Sequence, residues 1–362
     1  MIAADRPRHE AAKLLIVDGR GALHHSSIAE LPDLLHPGDL VVANDAATLP
    51  ASLRGTHMPT GDAIEVRLAG RPSASDETRF IAIVFGAGDY RIRTEDRPAP
   101  PVLCAGDRLA LGPMTATVER VLGHPRLIVL RFEGRASELW DGVARHGRAI
   151  QYAHVPRALE LWDVWTKIAG APVAFEPPSA GFALTWSMLA AFAKGGVGFV
   201  TLTLAAGISS TGDAELDKRL PFDEAYDIPR ATVAAVRKTK SEGGRVIAIG
   251  TSVVRALEHA AKDGALHAGA GVAAGRLGPS TRLKLVDAIV SGVHAPGESH
   301  FELLRAFVPD DVLRNMAETL EESGFRNHEF GDFVLIERRR STPSPEYIAA
   351  EGGHMRYFAH GQ

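Results

Sequence analysis

The pattern of apolar and polar positions changes character along the chain. Near the start, Lys13–Asp18 is an apolar, strand-like run that ends in a Gly19–Gly21 turn. Asp39–Ala43 is a second such run, after the turn signal His36-Pro37-Gly38. From about Arg54 to Phe132 short alternating segments follow one another: Ala63–Leu68, Arg79–Phe85, Arg108–Leu111, Ala116–Val121 and Leu127–Phe132. Gly, Pro and Asp punctuate them and no helical period intervenes, which predicts a small antiparallel sheet or barrel.

After about Ala144 strands and helices alternate. Val173–Phe175, Val197–Leu204, Arg245–Gly250, Leu283–Val290 and Phe333–Glu337 predict strands. Thr185 predicts an N-cap for a helix over Trp186–Lys194, stopped by Gly195-Gly196. Further helices are expected from Pro229 to about Ser241 and over Ser252–Ala261, Ser299–Phe307 and Asp310–Ser323. This alternation predicts a parallel sheet covered by helices, either open or closed into a barrel. The charged and then Pro-, Ser- and Gly-rich end, 341–362, reads as a mobile tail.

Composition adds bounds. With 362 residues, 45% of them hydrophobic, the chain can build a large core and two domains. No apolar stretch reaches the roughly 18 residues of a membrane span, and Met1–Glu10 is charged, so a cytoplasmic protein is expected. The single cysteine, Cys104, excludes an internal disulfide and a protein-held iron–sulfur cluster; it reads as a small packing residue. His24-His25 and His354…His360 lack a recognisable metal spacing, and no metal is expected. The net charge of −4 argues against a large RNA footprint but leaves room for a local basic patch. Arg338-Arg339-Arg340 is either such a contact or a solvated strand end.

Three units carry candidate chemistry. In Arg245–Arg255 an apolar strand ends at Gly250, and Thr251-Ser252 opens a helix. Free backbone N–H groups at such a start suit a carboxylate or phosphate, unless Thr251 merely caps the helix. Pro177-Pro178-Ser179-Ala180-Gly181 follows a strand, where α/β sheets place ligands; small residues let backbone approach a ligand. Asp287 interrupts the apolar run Leu283–Val290 and needs a partner or a function, with Lys284 three residues before it and His294 in the next loop. A structural ion pair is the plainer alternative for that unit. Phe85-Gly-Ala-Gly-Asp-Tyr90 has the glycines of a nucleotide turn, but its β-rich context argues against one.

Together these units resemble one family, the S-adenosylmethionine:tRNA ribosyltransferase-isomerases. The segment ending Glu-Pro-Pro-Ser-Ala-Gly-Phe-Ala-Leu-Thr185 is similar to the family's Ala-Ala-Pro-Thr-Ala-Gly-Leu-His-Phe-Thr. Arg245–Glu258 is similar to its Arg-Val-Ile-Ala-Val-Gly-Thr-Thr-Ser-Val-Arg-x-Leu-Glu. Lys284–Ala288, His294–Pro296, Phe330-Gly331-Asp332 and the Pro-Gly-Asp-Leu within Leu31–Asn44 match in the same order, across nearly the whole chain. The resemblance implies an α/β fold: a large barrel-like domain, here 1–53 and 145–340, carrying a smaller inserted β-barrel domain, 54–144. It departs at several points. The family's motif histidines fall at Ala183 and Thr203, its His-Ser-Glu reads Phe222-Asp223-Glu224, and its Asn-x-Thr-Arg reads Asn44-Asp45-Ala46-Ala47.

The resemblance further implies transfer and isomerisation of the ribosyl part of S-adenosylmethionine onto the aminomethyl group of a 7-deazaguanine in tRNA. The product is epoxyqueuosine, with release of adenine and methionine, and no cofactor beyond that co-substrate. Carried onto this sequence, Asp287 is the candidate carboxylate, His294 the candidate proton donor to the purine, and Lys284 sets the charge of Asp287. Glu224 is the remaining acid of the His-Ser-Glu element. Ser179, Ala180, Gly181, Gly250, Thr251 and Ser252 line the donor pocket, Arg255 binds a carboxylate, and His328 and Asp332 bind substrate. The lost imidazoles and guanidinium leave a second reading open, in which the acceptor is a small molecule. A third is a non-catalytic nucleotide- or RNA-binding relative.

Overall fold

The computed structural model describes residues 2–4, 12–73 and 76–339; the tail at 341–362 and Arg340 lie outside the described residues. Six antiparallel strands, Ser52–His57, Ala63–Gly70, Arg79–Phe85, Arg108–Leu111, Met114–Val121 and Leu127–Phe132, close into a barrel. Alternation builds it. In Met114–Val121, Met114, Ala116 and Val118 point into the core while Thr115, Thr117 and Glu119 are partly exposed. The Ser52–His57 strand carries a weaker alternation, Leu53-Arg54-Gly55-Thr56. It packs because Gly55 has no side chain: a Cβ there would fall 1.9 Å from the Ala110 carbonyl oxygen.

A nine-stranded sheet forms the larger part. Its order is Gly269–Ala273, Glu224–Ile228, Gly198–Leu204, Leu40–Asn44, Val246–Ile249, Ala288–Gly292, Phe333–Glu337, Lys13–Val17, Leu23–Ser27. It keeps two edges, whereas the six-stranded sheet is closed. The four strands from Gly198–Leu204 to Ala288–Gly292 run parallel. Leu40 and Val42 pack on one face with Val233, Val236, Val254 and Leu257 from two helices. Val41 and Ala43 pack on the other with Met188 and Phe192 from Trp186–Lys194. Burial on both faces explains why these strands read as unbroken apolar runs.

The expected strand Leu283–Val290 begins only at Ala288. The N–H groups of Lys284, Leu285 and Val286 donate instead to the carboxylate of Glu258, at 2.7, 3.0 and 2.9 Å. The strands Leu23–Ser27, Glu224–Ile228 and Gly269–Ala273 and the helix Ala136–His146 lie beyond the sequence expectation. Cys104 is exposed rather than packed, in a turn where its N–H donates to Asp107. No helix among the described residues is long and apolar enough to cross a membrane.

Candidate active site

The carboxyl ends of the parallel strands open on one cleft. An inner part of about 860 Å³ is lined by Ser179, Ala180, Glu224, Gly250, Thr251, Ser252, Arg255 and His294. It continues into a wider part of about 2130 Å³, where His328 joins the lining. Eight candidates from different parts of the chain thus share the inner cleft, as strand-end placement demands.

Gly250 makes the sharp entry into helix Thr251–Ala260. Its φ is +92°, and a Cβ would lie 3.1 Å from that of Ala180. Gly250 itself is the N-cap, with no side-chain cap bond, so Thr251 leaves the first-turn donors uncapped. Those N–H groups therefore stay available at the cleft for an anionic ligand. Asn44 at the end of its strand donates to Ser252 Oγ (3.3 Å) and to the Leu204 carbonyl (2.9 Å), which fixes the floor. Gly181 lies under the Ser179–Ala183 turn, buried against Thr166, where a Cβ would approach Thr166 Cγ2 to 2.8 Å.

Arg255 is committed to protein partners. Its Nε donates to Glu224 (2.9 Å) and its terminal nitrogens donate to the carbonyls of Gly275, Phe222 and Ala273. The carboxylate it binds is that of Glu224, which also accepts the Gly207 N–H at 2.8 Å. Burial raises the Glu224 pKa even beside the guanidinium. The pair is a rigid wall of the cleft.

Glu176, one residue before Pro177-Pro178, is the acid the sequence reading passed over. It is 6% exposed and lines both parts of the cleft. Burial pushes its carboxyl up to about 7, and hydrogen bonds from Ser209 and from Tyr152 Oη only partly offset this. Tyr152 in turn stands 5.4 Å from the guanidinium of Arg67, a buried barrel residue paired with Glu65 at 2.8 Å. Burial opposes the charge on Glu65 as well, yet Arg67 and Arg97 hold its carboxyl below the usual value. Opposite Glu176, His294 stacks on His300 with ring centres 4.5 Å apart and bonds Glu298 through Nδ1 at 3.2 Å. Burial, aided by His294, pushes His300 down to about 3, so it is neutral at physiological pH.

Three candidates lie elsewhere. Asp287 precedes its strand, so it stands at the amino end, about 16 Å from Gly292 at a strand rise of about 3.3 Å per residue. It is bound by Lys240 Nζ (2.8 and 2.9 Å), by Arg338 (3.1 Å) and by the Val246 N–H. Lys284 does not touch it; Lys284 Nζ caps the helix end at the carbonyls of Ala261 and Lys262. The candidate site therefore loses Asp287 and Lys284 for reasons of strand polarity. Asp332 accepts the backbone N–H groups of Lys13 and Arg326, both at 2.8 Å, and holds the 326–332 turn instead of facing the cleft. At the departures from the family pattern, Ala183 is buried and Thr203 donates to Asp45 at 2.6 Å.

The chain is 30% identical over 351 residues to the S-adenosylmethionine:tRNA ribosyltransferase-isomerase of Synechococcus elongatus, covering 92% of this chain and 91% of that one. It is 31% identical over 338 residues to the protein of the same name from Citrifermentans bemidjiense, covering 91% and 94%. A crystal structure of S-adenosylmethionine tRNA ribosyltransferase from Thermotoga maritima is similar at a TM-score of 0.49 and 23% identity, over 92% of this chain and 96% of that one. The family model described as "Queuosine biosynthesis protein" matches residues 2–336, and the chain belongs to that family.

Proposed function

We propose that the protein transfers and isomerises the ribosyl moiety of S-adenosylmethionine onto the aminomethyl group of a 7-deazaguanine in tRNA, in the cytoplasm. Epoxyqueuosine forms, and adenine and methionine leave. Family membership and the names of its relatives support this reading. The observation that carries it to these residues is the uncapped start of helix Thr251–Ala260 at the floor of the cleft. Its N–H groups suit the methionine carboxylate of the donor.

The donor's sulfonium makes C5′ electrophilic. The acceptor amine attacks there, a C–N bond forms, and the C–S electron pair leaves with methionine. Ring opening and loss of adenine then need a base and an acid beside the sugar. Glu176, with its carboxyl near 7, can take and return a proton at neutral pH. His294, oriented by Glu298, is the proton donor to the departing purine. The Ser179–Ala180 turn and Gly250 let backbone close on the donor. Arg276 lines the outer cleft beside Arg93 and Lys218, which pair with Glu95 and Glu215, and its guanidinium is the cation offered to tRNA phosphates there.

The test is incubation of the protein with S-adenosylmethionine, with and without tRNA bearing aminomethyl-7-deazaguanine, and mass spectrometry of the products. Adenine, methionine and an epoxyqueuosine nucleoside are expected only with the tRNA. Release of adenine with the free base, and none with tRNA, would replace this acceptor by a small molecule. The Asp45–Thr203 and Ala183 departures favour that second reading.

A further inference from the structure

The outer cleft holds a second constellation that the reaction above does not use. His154, His328 and Glu329 each present one ligand atom, and the three atoms lie within 4.8 Å of one another. His154 Nε2 is 3.0 Å from Glu329 Oε2. Two donors on a tetrahedral zinc-class ion stand about 3.4 Å apart, given bonds of about 2.0–2.2 Å. To share one ion the His154 and His328 rings would turn out of their stacked planes, and the ion would replace the shared proton of the His154–Glu329 bond. The three groups line the cleft, so a further coordination position would face it.

The supporting structure brings the groups together. The His154 ring lies between two others: Tyr152 at 6.2 Å and 7°, and His328 at 4.4 Å and 20°. Tyr152 is anchored through its hydroxyl to Glu176 and to the Ser210 carbonyl. His328 has φ +67°, the one non-glycine residue of positive φ among the described residues. Such a backbone is held by its surroundings and is concentrated at functional sites. Here the surroundings are a closed turn: the Gly331 N–H donates to the His328 carbonyl, and Asp332 grips the Arg326 N–H. A Cβ at Gly331 would lie 2.4 Å from the Arg326 carbonyl oxygen, so the turn that aims His328 and Glu329 admits little else.

We propose that His154, His328 and Glu329 form a binding site for a divalent transition-metal ion of the zinc class. Two imidazoles and one carboxylate with an open position match the ligand set of zinc sites that keep a water or a substrate oxygen. The expectation does not depend on which acceptor the enzyme uses, because its test reads binding rather than turnover.

Untagged full-length protein, stripped with a chelator, is titrated with Co²⁺ and followed by visible ligand-field absorption. About one equivalent should bind with bands typical of low coordination number, and Zn²⁺ should remove them. His154→Ala, His328→Ala and Glu329→Gln should each weaken binding on the order of tenfold or more. Replacing the exposed pair His24 and His25 with Ala should leave binding unchanged. Glu329→Gln keeps side-chain size, so it remains decisive if a histidine variant fails to fold. Absence of the bands at millimolar Co²⁺, or bands unaltered in Glu329→Gln, would overturn the site.

Discussion

At the amino ends of the parallel strands, Asp39, Arg245, Glu337, Asp287, Lys240 and Arg338 form ion pairs with short contacts and partly exposed cations. At the carboxyl ends, Glu176 and Glu224 are buried, and burial raises both carboxyls. The first set holds strand starts together. The second puts a carboxyl that titrates near 7, that of Glu176, and the buried Glu224–Arg255 pair at a ligand cleft. Which end of the parallel strands an acid stands at, rather than its presence in an apolar run, separates the two roles.

The comparison breaks most visibly at Glu176. Glu176→Gln should keep the fold while turnover falls on the order of 10²–10⁴, the usual worth of a positioned acid or base. Steady-state release of adenine measures it, and unchanged turnover would remove Glu176 from the mechanism. Next comes the buried pair. Arg255→Ala leaves Glu224 without its guanidinium and should cost about 3–5 kcal/mol in denaturant unfolding. Adding Glu224→Gln should recover part of that loss; no recovery would place the damage in lost packing.

A pH titration sharpens the contrast further. The folded Glu176 value of about 7 lies above the ordinary 4.5, so the folded state holds this proton more tightly than the unfolded chain. The associated stability is fully present below about pH 4.5 and is lost as pH rises to about 7. It amounts to something on the order of 3 kcal/mol. The stability difference between the parent and Glu176→Gln, measured from pH 4 to 8, should shift toward the variant by that amount. A flat difference would mean that water reaches the carboxylate. The smallest effect is expected at the other end: Asp287→Asn should lose about 1–2 kcal/mol, since Lys240 and Arg338 remain partly hydrated. Its turnover should stay within about threefold of the parent, well short of what loss of a positioned base costs. A loss of a hundredfold or more would return Asp287 to the reacting groups.

Local pattern made much of this architecture legible. Alternation marked five of the six barrel strands, and the apolar runs marked the parallel strands, because burial on one face or two writes itself into neighbouring residues. The Gly250 and Ser179–Ala180 turns were legible for a similar reason, since a left-handed or closely approached backbone demands small residues there. The strands Glu224–Ile228 and Gly269–Ala273 escaped because Glu-Ala-Tyr-Asp-Ile and Gly-Ala-Gly-Val-Ala carry little alternation. Asp287 read as catalytic because its partner Lys240 comes from a helix 47 residues earlier, a distance no periodicity reports. Glu176 gave only the faint signal of an acid just after a short apolar strand. His154 and Glu329 meet across 175 positions, so spacing rules for metal ligands had nothing to read.

The barrel meets the cleft beside Glu176, with consequences for anyone who would remodel this enzyme. Arg67 leans on Tyr152, and a Cβ on Gly207 would lie 3.1 Å from the barrel carbonyl of Ala69. The barrel thus packs close to the buried Glu176. A shortened version lacking it would admit solvent there, and the acid would titrate like any surface carboxyl. Chimaeras that exchange barrels between relatives should therefore be judged first by the pH optimum they inherit, with the Arg67–Tyr152 contact as the graft junction to preserve.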